Sequence, residues 1–233
     1  MPDVLITGAS QGIGKRVALA FAREPASRLA LVARNTENLE RVAAACENVG
    51  ATAHVFSCDV TDPEQVAAMA AQVQERMGTP NVLVNNAGVF RPGPIAELEL
   101  DLFRQQIDVN LVSAFLVTKA FLPALMRRQS GRVIFLGSVA SVKGYAGGAA
   151  YCAAKHGLLG FARTLREETK EAGIQVTTVM PGATLTPSWD GVDLPEDRFM
   201  PPEDVARAIV EICGLSDRTV VEELLLRPQL GDI

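Results

Sequence analysis

The chain has 233 residues, 48% hydrophobic and 21% charged, which is enough apolar material for one sizeable core and a usual size for a single α/β domain. A formal net charge of -5 and a pI near 5.2 argue against a generic nucleic-acid or anionic-membrane surface and point to a small-molecule partner. Met1-Pro2-Asp3 runs straight into Val4-Leu5-Ile6 with no room for a signal peptide, and no apolar run approaches the roughly 18 residues of a membrane span, so a cytoplasmic protein is expected.

In chain order, short apolar runs predict strands at 3–7, 29–33, 53–58, 82–85, 132–136, 175–180 and 219–226. Between them, amphipathic Ala-rich segments predict helices at 12–24, 36–48, 63–77, 100–128, 150–172 and 202–214. Boundary residues agree with this division. Asp62-Pro63-Glu64-Gln65 sets a cap, a first-turn proline and a capping-box glutamine in order, and Pro25 closes the first helix. Continuous apolar strands alternating with helices predict a doubly wound, seven-stranded parallel sheet covered on both faces. No linker or repeat starts a second domain. We read one domain over 1–233, with a dinucleotide-binding part to about 130 and a catalytic and substrate part beyond it. The longest irregular stretch, 182–201, carries Pro187, Trp189 and Pro195 and is expected to be a substrate lid. Cys46, Cys58, Cys152 and Cys213 are scattered, and His54 and His156 lie far from any ligand-spaced partner, so structural thiols and no metal are expected.

Gly8, Ser10, Gln11, Gly12, Ile13 and Gly14 form a G-x-x-x-G-x-G turn at the first strand-to-helix junction. There, backbone N–H groups and a helix N-terminus face phosphate in a doubly wound sheet. Gly8 permits the turn, Gly12 the close approach of a ligand, and Gly14 the packing of helix on strand. About twenty residues on, where an NAD site places an acid on the ribose hydroxyl, the second strand instead ends Ala33-Arg34-Asn35. A guanidinium there pairs with a 2′-phosphate, which favours NADPH over NADH, with Ser10 and Lys15 as assistants. Asp59-Val60, after the third strand, is placed for the adenine edge or for a simple turn and cap.

Gly137 to Lys155 holds the chemistry. Tyr151 and Lys155 are four apart in a predicted helix and emerge on one face. An ammonium near a phenol favours the phenolate and is expected to lower a pKa of about 10, suiting the tyrosine to acid–base work. Ser138, at the end of an apolar strand, is placed to hydrogen-bond the same reacting oxygen.

Together these motifs resemble the short-chain dehydrogenase/reductase family over essentially the whole chain: Thr7 to Gly14 as TGASQGIG, Asn85 to Gly88 as NNAG, Asn110, Ser138, the Tyr151/Lys155 pair, and Pro181-Gly182. The resemblance implies a Rossmann-type fold and an NADP-dependent carbonyl reductase. In it, Tyr151 is the general acid/base, Lys155 lowers its pKa and binds the nicotinamide ribose, and Ser138 positions the carbonyl. Asn110 is implied to interrupt the long helix and hold a water that links the lysine to solvent. Read from the residues alone, it is equally a satisfied buried amide. Asn86, Ala87 and Gly88 are implied to line the cofactor, as are Pro181, Gly182, Thr184 and Thr186. Thr184 departs from the Ile or Val more usual in the family. A homodimer or homotetramer packed through the 150–172 helix and the last strand is also implied.

The lid sequence Pro187-Ser188-Trp189 and the ending RTVVEE…LRP…GDI resemble the bacterial sepiapterin reductase branch of that family, which reduces side-chain ketones of a pterin. Tyr145, Trp189 and Asp232 then join Ser138 as candidate substrate contacts. Trp189 is placed to stack on a planar heterocycle and Asp232 to pair with a guanidino edge. A hydrophobic lid anchor and a frayed terminus are the plainer readings of those two. The resemblance also admits a 3-oxoacyl-[acyl-carrier-protein] reductase, for which Arg127-Arg128 at a helix end offers a cationic contact, although cations at a helix C-terminus are expected there for helix-end stabilisation alone, and a non-catalytic NADP-sensing protein. Glu222-Glu223, adjacent on a predicted strand, are expected to point to opposite faces as sheet-edge or subunit-contact residues.

Overall fold

The computed structural model describes residues 2–233. Its strands are β1 (Asp3–Thr7), β2 (Arg28–Ala33), β3 (Thr52–Ser57), β4 (Val82–Asn85), β5 (Gly131–Leu136), β6 (Ile174–Pro181) and β7 (Glu223–Leu226). The helices are α1 (Gly12–Phe21), α2 (Thr36–Glu47), α3 (Pro63–Met77), α4 (Leu100–Ile107), α5 (Ser113–Arg128), α6 (Ala149–Thr169) and α7 (Pro202–Cys213). The strands pair in parallel as one sheet in the order β3-β2-β1-β4-β5-β6-β7. The doubly wound architecture expected from the sequence is therefore observed. The order reverses between β1 and β4, and in such sheets the crevice beyond the carboxyl ends of those strands is where ligands bind.

Alternation along each strand builds two cores. Leu5, Leu83, Val133 and Phe135 face α3, α5 and α6, where they meet Val73, Phe121, Leu125 and Leu158. Val4, Ile6, Leu31, Val84 and Ile134 face α1, α2 and α7, meeting Val17, Phe21, Leu39 and Val205. β1 is thus buried on both sides and cannot shift, because a one-residue slip would exchange its two faces. Asp62 caps α3 as expected, accepting from the N–H groups of Glu64 and Gln65. The Gln65 amide departs from the simple box: it donates to Asp62 and accepts from the Asp59 N–H.

Three elements differ from the sequence reading. The first helix, expected over 12–24 and closed by Pro25, ends at Phe21, where the Arg23 and Glu24 N–H groups turn to the Ala20 and Phe21 carbonyls. The 100–128 segment carries a π-helical turn, Asp108–Val112, between α4 and α5. By length and composition this whole stretch could cross a membrane. Here its apolar side, with Phe121 and Leu125 fully buried, covers the sheet. The last strand begins at Glu223 rather than 219; before it the Gln175 side chain donates to the Ser216 and Thr219 carbonyls, and the β6 ladder first reaches this segment at the Glu222 carbonyl.

Candidate active site

A cavity of ≈ 930 Å³ opens at the carboxyl ends of the strands. Every site residue expected from the sequence borders it except Gly14, which lies behind the turn, and Lys15, which does not reach the cavity as the expected assistant of Arg34. Gly8 and Gly12 have φ of +66° and +55°, in the left-handed region that favours glycine. A Cβ on Gly14 would lie 2.4 Å from the Gly8 carbonyl oxygen, so that glycine sets how closely α1 approaches β1. A Cβ on Gly12 would meet only Thr186, at 3.6 Å, across the cavity. α1 has no side-chain cap at Gln11 and no acidic residue in its first turn. Its first N–H groups and the positive end of its dipole are therefore available to an anion. These features fit the diphosphate of a dinucleotide. Ser10 and Ile13 border the same wall.

At the β2 end, Arg34 is largely exposed and sits 3.8 Å from the Asp59 carboxylate. Asp59 also accepts from the Thr61 N–H and hydroxyl, so the turn reading holds for one of its oxygens. The Asn35 side chain caps α2 through the Asn38 N–H, and Asn35 and Val60 both border the cavity.

The β4 end is tied to β1 by a residue the sequence reading gave no separate role. The buried Thr7 hydroxyl accepts from the N–H groups of both Asn86 and Ala87, each at 3.0 Å. Asn86 returns the link, donating from Nδ2 to the Thr7 and Gly8 carbonyls at 2.8 and 3.2 Å. The two loops bordering the crevice are thereby one unit. Gly88 completes it: a Cβ there would lie 2.9 Å from Asn110 Oδ1 and 3.7 Å from Lys155 Nζ.

Ser138 follows β5 and begins a 3₁₀ turn, Val139–Ser141, accepting at Oγ from the Ala140 N–H. Tyr151 and Lys155 rise from the first turns of α6, with Nζ 5.6 Å from the phenol ring centre. Lys155 is buried and donates to the Leu136 carbonyl at 2.7 Å. Burial is the largest influence on both groups. It pushes the lysine down to about 8 and the tyrosine up, against a hydrogen bond from Ser138 that pulls the tyrosine down. This corrects the expected direction for Tyr151: with Lys155 itself desolvated, its charge does not outweigh the cost of burying a phenolate. Asn110 lies in the π turn, fully buried. Its amide donates to the Val89 and Gln106 carbonyls and accepts from the Val89 N–H. As a buried amide it is satisfied, and the π turn it occupies is the interruption the resemblance implied.

Pro181 ends β6, and the 182–201 loop leaves from Gly182. Its two feet are joined, Leu185 N–H to the Met200 carbonyl and Met200 N–H to the Ala183 carbonyl, each at 2.9 Å. The buried Thr184 hydroxyl donates to the Gly182 carbonyl, so it serves the backbone. Trp189 borders the cavity and packs edge-on against Phe199 of the same loop at 5.1 Å, so it anchors the loop as well as forming a wall. Asp232 is not frayed: Oδ2 pairs with Lys143 at 3.0 Å and Arg227 at 3.2 Å. Its Oδ1 is buried with no hydrogen-bond partner. Tyr145 sits beside Phe90, ring centres 6.1 Å apart, over Gly148, whose Cβ would strike the ring. Phe90, Lys143 and Arg227 were given no role in the sequence reading, although Arg227 belongs to the quoted ending. Phe90 follows NNAG by two positions but carries no signal of its own, and Lys143 and Asp232 are 89 positions apart. Glu222 and Glu223 pair with Arg166 and Arg163 of α6, so both carboxylates reach one helix rather than opposite faces. Glu222 precedes β7 and is free of its alternation.

Comparison with known proteins accords with this geometry. Residues 3–196 match the short chain dehydrogenase family model. Sepiapterin reductase from Chlorobaculum tepidum is 37% identical, covering 99% of this chain and 97% of that protein. A 3-oxoacyl-[acyl-carrier-protein] reductase from Synechocystis is 33% identical over 88% of this chain and 86% of its own length. The alcohol dehydrogenase from Thermococcus sibiricus, solved with 5-hydroxy-NADP, superposes with a TM-score of 0.91 at 31% identity, covering 98% of this chain and 97% of that one. The chain belongs to the short-chain dehydrogenase family and is an oxidoreductase.

Proposed function

We propose that this short-chain dehydrogenase is an NADPH-dependent reductase of a ketone borne on a planar heterocycle, a pterin side-chain ketone above all. The observation that carries the reductase reading is the convergence of Ser138, Tyr151 and Lys155 on the cavity that the glycine turn also borders. The uncapped start of α1, the open face of Gly12 and the exposed Arg34 fit a dinucleotide carrying a 2′-phosphate. The Thermococcus structure was solved with a ligand of that class. Bound there, the cofactor supplies the hydride.

Each residue then has a task. Tyr151, kept protonated by burial, gives its proton to the carbonyl oxygen. Ser138 donates a hydrogen bond to that oxygen as negative charge develops. Lys155, its pKa lowered to about 8 by burial, exchanges a proton near neutrality and restores the one lost from the phenol; with the cofactor bound it would also hold the nicotinamide ribose. Asn110 holds the Val89 backbone, next to Gly88 and Lys155. The pterin reading rests on the Chlorobaculum relative, on Trp189 as a wall, and on Asp232 Oδ1, a buried acceptor at the cavity rim that matches a guanidino N–H edge.

A 3-oxoacyl thioester is the second reading, favoured by the Synechocystis relative. Against it, the Arg128 guanidinium is already committed to the Thr79, Pro80 and Ser130 carbonyls, where it ties α5 to neighbouring loops. Turnover of sepiapterin in competition with an acetoacetyl thioester, with NADPH, decides between them. Preferred pterin reduction supports the first, and reduction of the thioester alone removes it. A homo-oligomer joined through α6 and β7 is part of this proposal, supported by the half-exposed Leu225 on the edge strand, and light scattering in solution checks it.

A further inference from the structure

Phe90 and Gln106 belong to no motif, yet the structure joins them at the reacting tyrosine. Gln106 lies in α4, 1% exposed, and spends its whole amide on one residue. Its Oε1 accepts from the Arg91 N–H at 3.1 Å and its Nε2 donates to the Arg91 carbonyl at 3.0 Å. One helical turn later Asn110 does the same to Val89, at 3.2 and 2.8 Å. Two carboxamides four positions apart thus act as the missing neighbouring strand for an extended segment, holding residues 89 and 91 and leaving residue 90 between them. The Phe90 ring then lies 5.1 Å from the Tyr151 ring at 61°, and 6.1 Å from Tyr145 at 71°, edge-to-face in both cases. Aromatic residues are only 5% of this chain, yet both tyrosines, its single tryptophan and Phe90 border one cavity.

We propose that Phe90 is a specificity-determining wall of the ketone site, selecting substrates whose carbonyl is attached to a planar unsaturated group, and that Gln106 is the positioning residue that holds it there. This rests on the reading of the chain as an NADPH-dependent ketone reductase. A ring fixed edge-on to Tyr151 offers an aromatic surface next to the proton donor, where a planar substituent gains contacts that a flexible chain does not. A planar group held there also brings its carbonyl to Tyr151 in one orientation.

The test measures kcat/KM for an aryl ketone and for an aliphatic ketone of similar size, with wild type, Phe90→Ala, Gln106→Leu and the double variant. NADPH affinity and thermal unfolding confirm that each variant is folded. Phe90→Ala is expected to lower the aryl-to-aliphatic ratio about three- to tenfold, the range of an aromatic pair. Gln106→Leu is expected to lower the same ratio, and the double variant to be no worse than Phe90→Ala, since Gln106 acts through that ring. An unchanged ratio in Phe90→Ala overturns the wall. Independent, additive losses, or a Gln106→Leu loss equal on both ketones, overturn the positioning role. If wild type reduces neither ketone, the reductase reading itself fails, a result distinct from these.

Discussion

Replacing Gly14 with alanine separates the two jobs of the glycine turn. The new Cβ would sit 2.4 Å from the Gly8 carbonyl oxygen and 2.4 Å from Asn86 Nδ2. Neither neighbour can swing aside. The first is backbone in a glycine at φ +66°, and the second donates to the Thr7 and Gly8 carbonyls. α1 must therefore lift from β1, at a cost of about 3 kcal/mol, the upper part of the overpacking range. Alanine returns about 1 kcal/mol in helix propensity. The remaining loss of about 2 kcal/mol lowers Tm by roughly 4–8 °C for a chain of this size. Gly12→Ala meets no backbone, only Thr186 at 3.6 Å. Its left-handed φ costs about 1 kcal/mol, but its Cβ enters the space assigned to the diphosphate. Calorimetry and NADPH titration by fluorescence, run on both variants, should show the larger Tm loss in Gly14→Ala and the larger affinity loss in Gly12→Ala. A Gly14→Ala protein that melts with wild type, or a Gly12→Ala protein that binds NADPH like wild type, refutes the reasoning.

Other outcomes follow from the same contacts. Thr7→Val orphans the Asn86 and Ala87 N–H groups and should cost about 2–4 kcal/mol, with faster hydrogen exchange at those two amides; unchanged exchange would show that they have other partners. Arg34→Ala should weaken NADPH about 10- to 100-fold while leaving NADH nearly unaffected, measured as a ratio of dissociation constants, and an unchanged ratio removes Arg34 from the phosphate site. Lys155 gives a pH signature. Its pKa is lowered to about 8 in the folded chain from 10.5, so between those values the unfolded chain holds more protons and folding stability rises with pH. Lys155→Met lacks that contribution, so the stability of wild type relative to the variant should increase from about pH 8 to pH 10; a flat difference contradicts the burial of a strained ammonium.

What the sequence made legible and what it did not have separate physical causes. Val4 to Thr7, Leu29 to Val32 and Val133 to Leu136 are buried on both faces, so an uninterrupted apolar run is their direct signature. Gly8, Gly12 and Gly14 were readable because the backbone itself forbids alternatives there. Arg34, Ser138, Tyr151 and Lys155 have spacing that carries chemistry, and all four border the cavity. The Tyr151 pKa was read in the wrong direction because spacing reports a neighbouring charge but not the burial of both partners. The short β7 depends on where β6 offers it a partner, which begins at Thr178, a tertiary matter that β-propensity cannot show. Gln106 reads as one more polar residue of a helix, since its partner is backbone fifteen positions away. Lys143 and Arg227 converge on Asp232 only because β5, β6 and β7 bring their loops to one end of the sheet.

Hydride transfer promoted by Tyr151 is the core of this account, and one comparison reaches it directly. Wild type and Tyr151→Phe are mixed with NADPH and a ketone, and loss of the reduced nicotinamide absorbance is followed against formation of the alcohol, with NADPH affinity measured in parallel. The account predicts matched consumption and product in wild type, and in Tyr151→Phe unchanged NADPH binding with a rate about 10²- to 10⁴-fold lower. Turnover by Tyr151→Phe at the wild-type rate would contradict it.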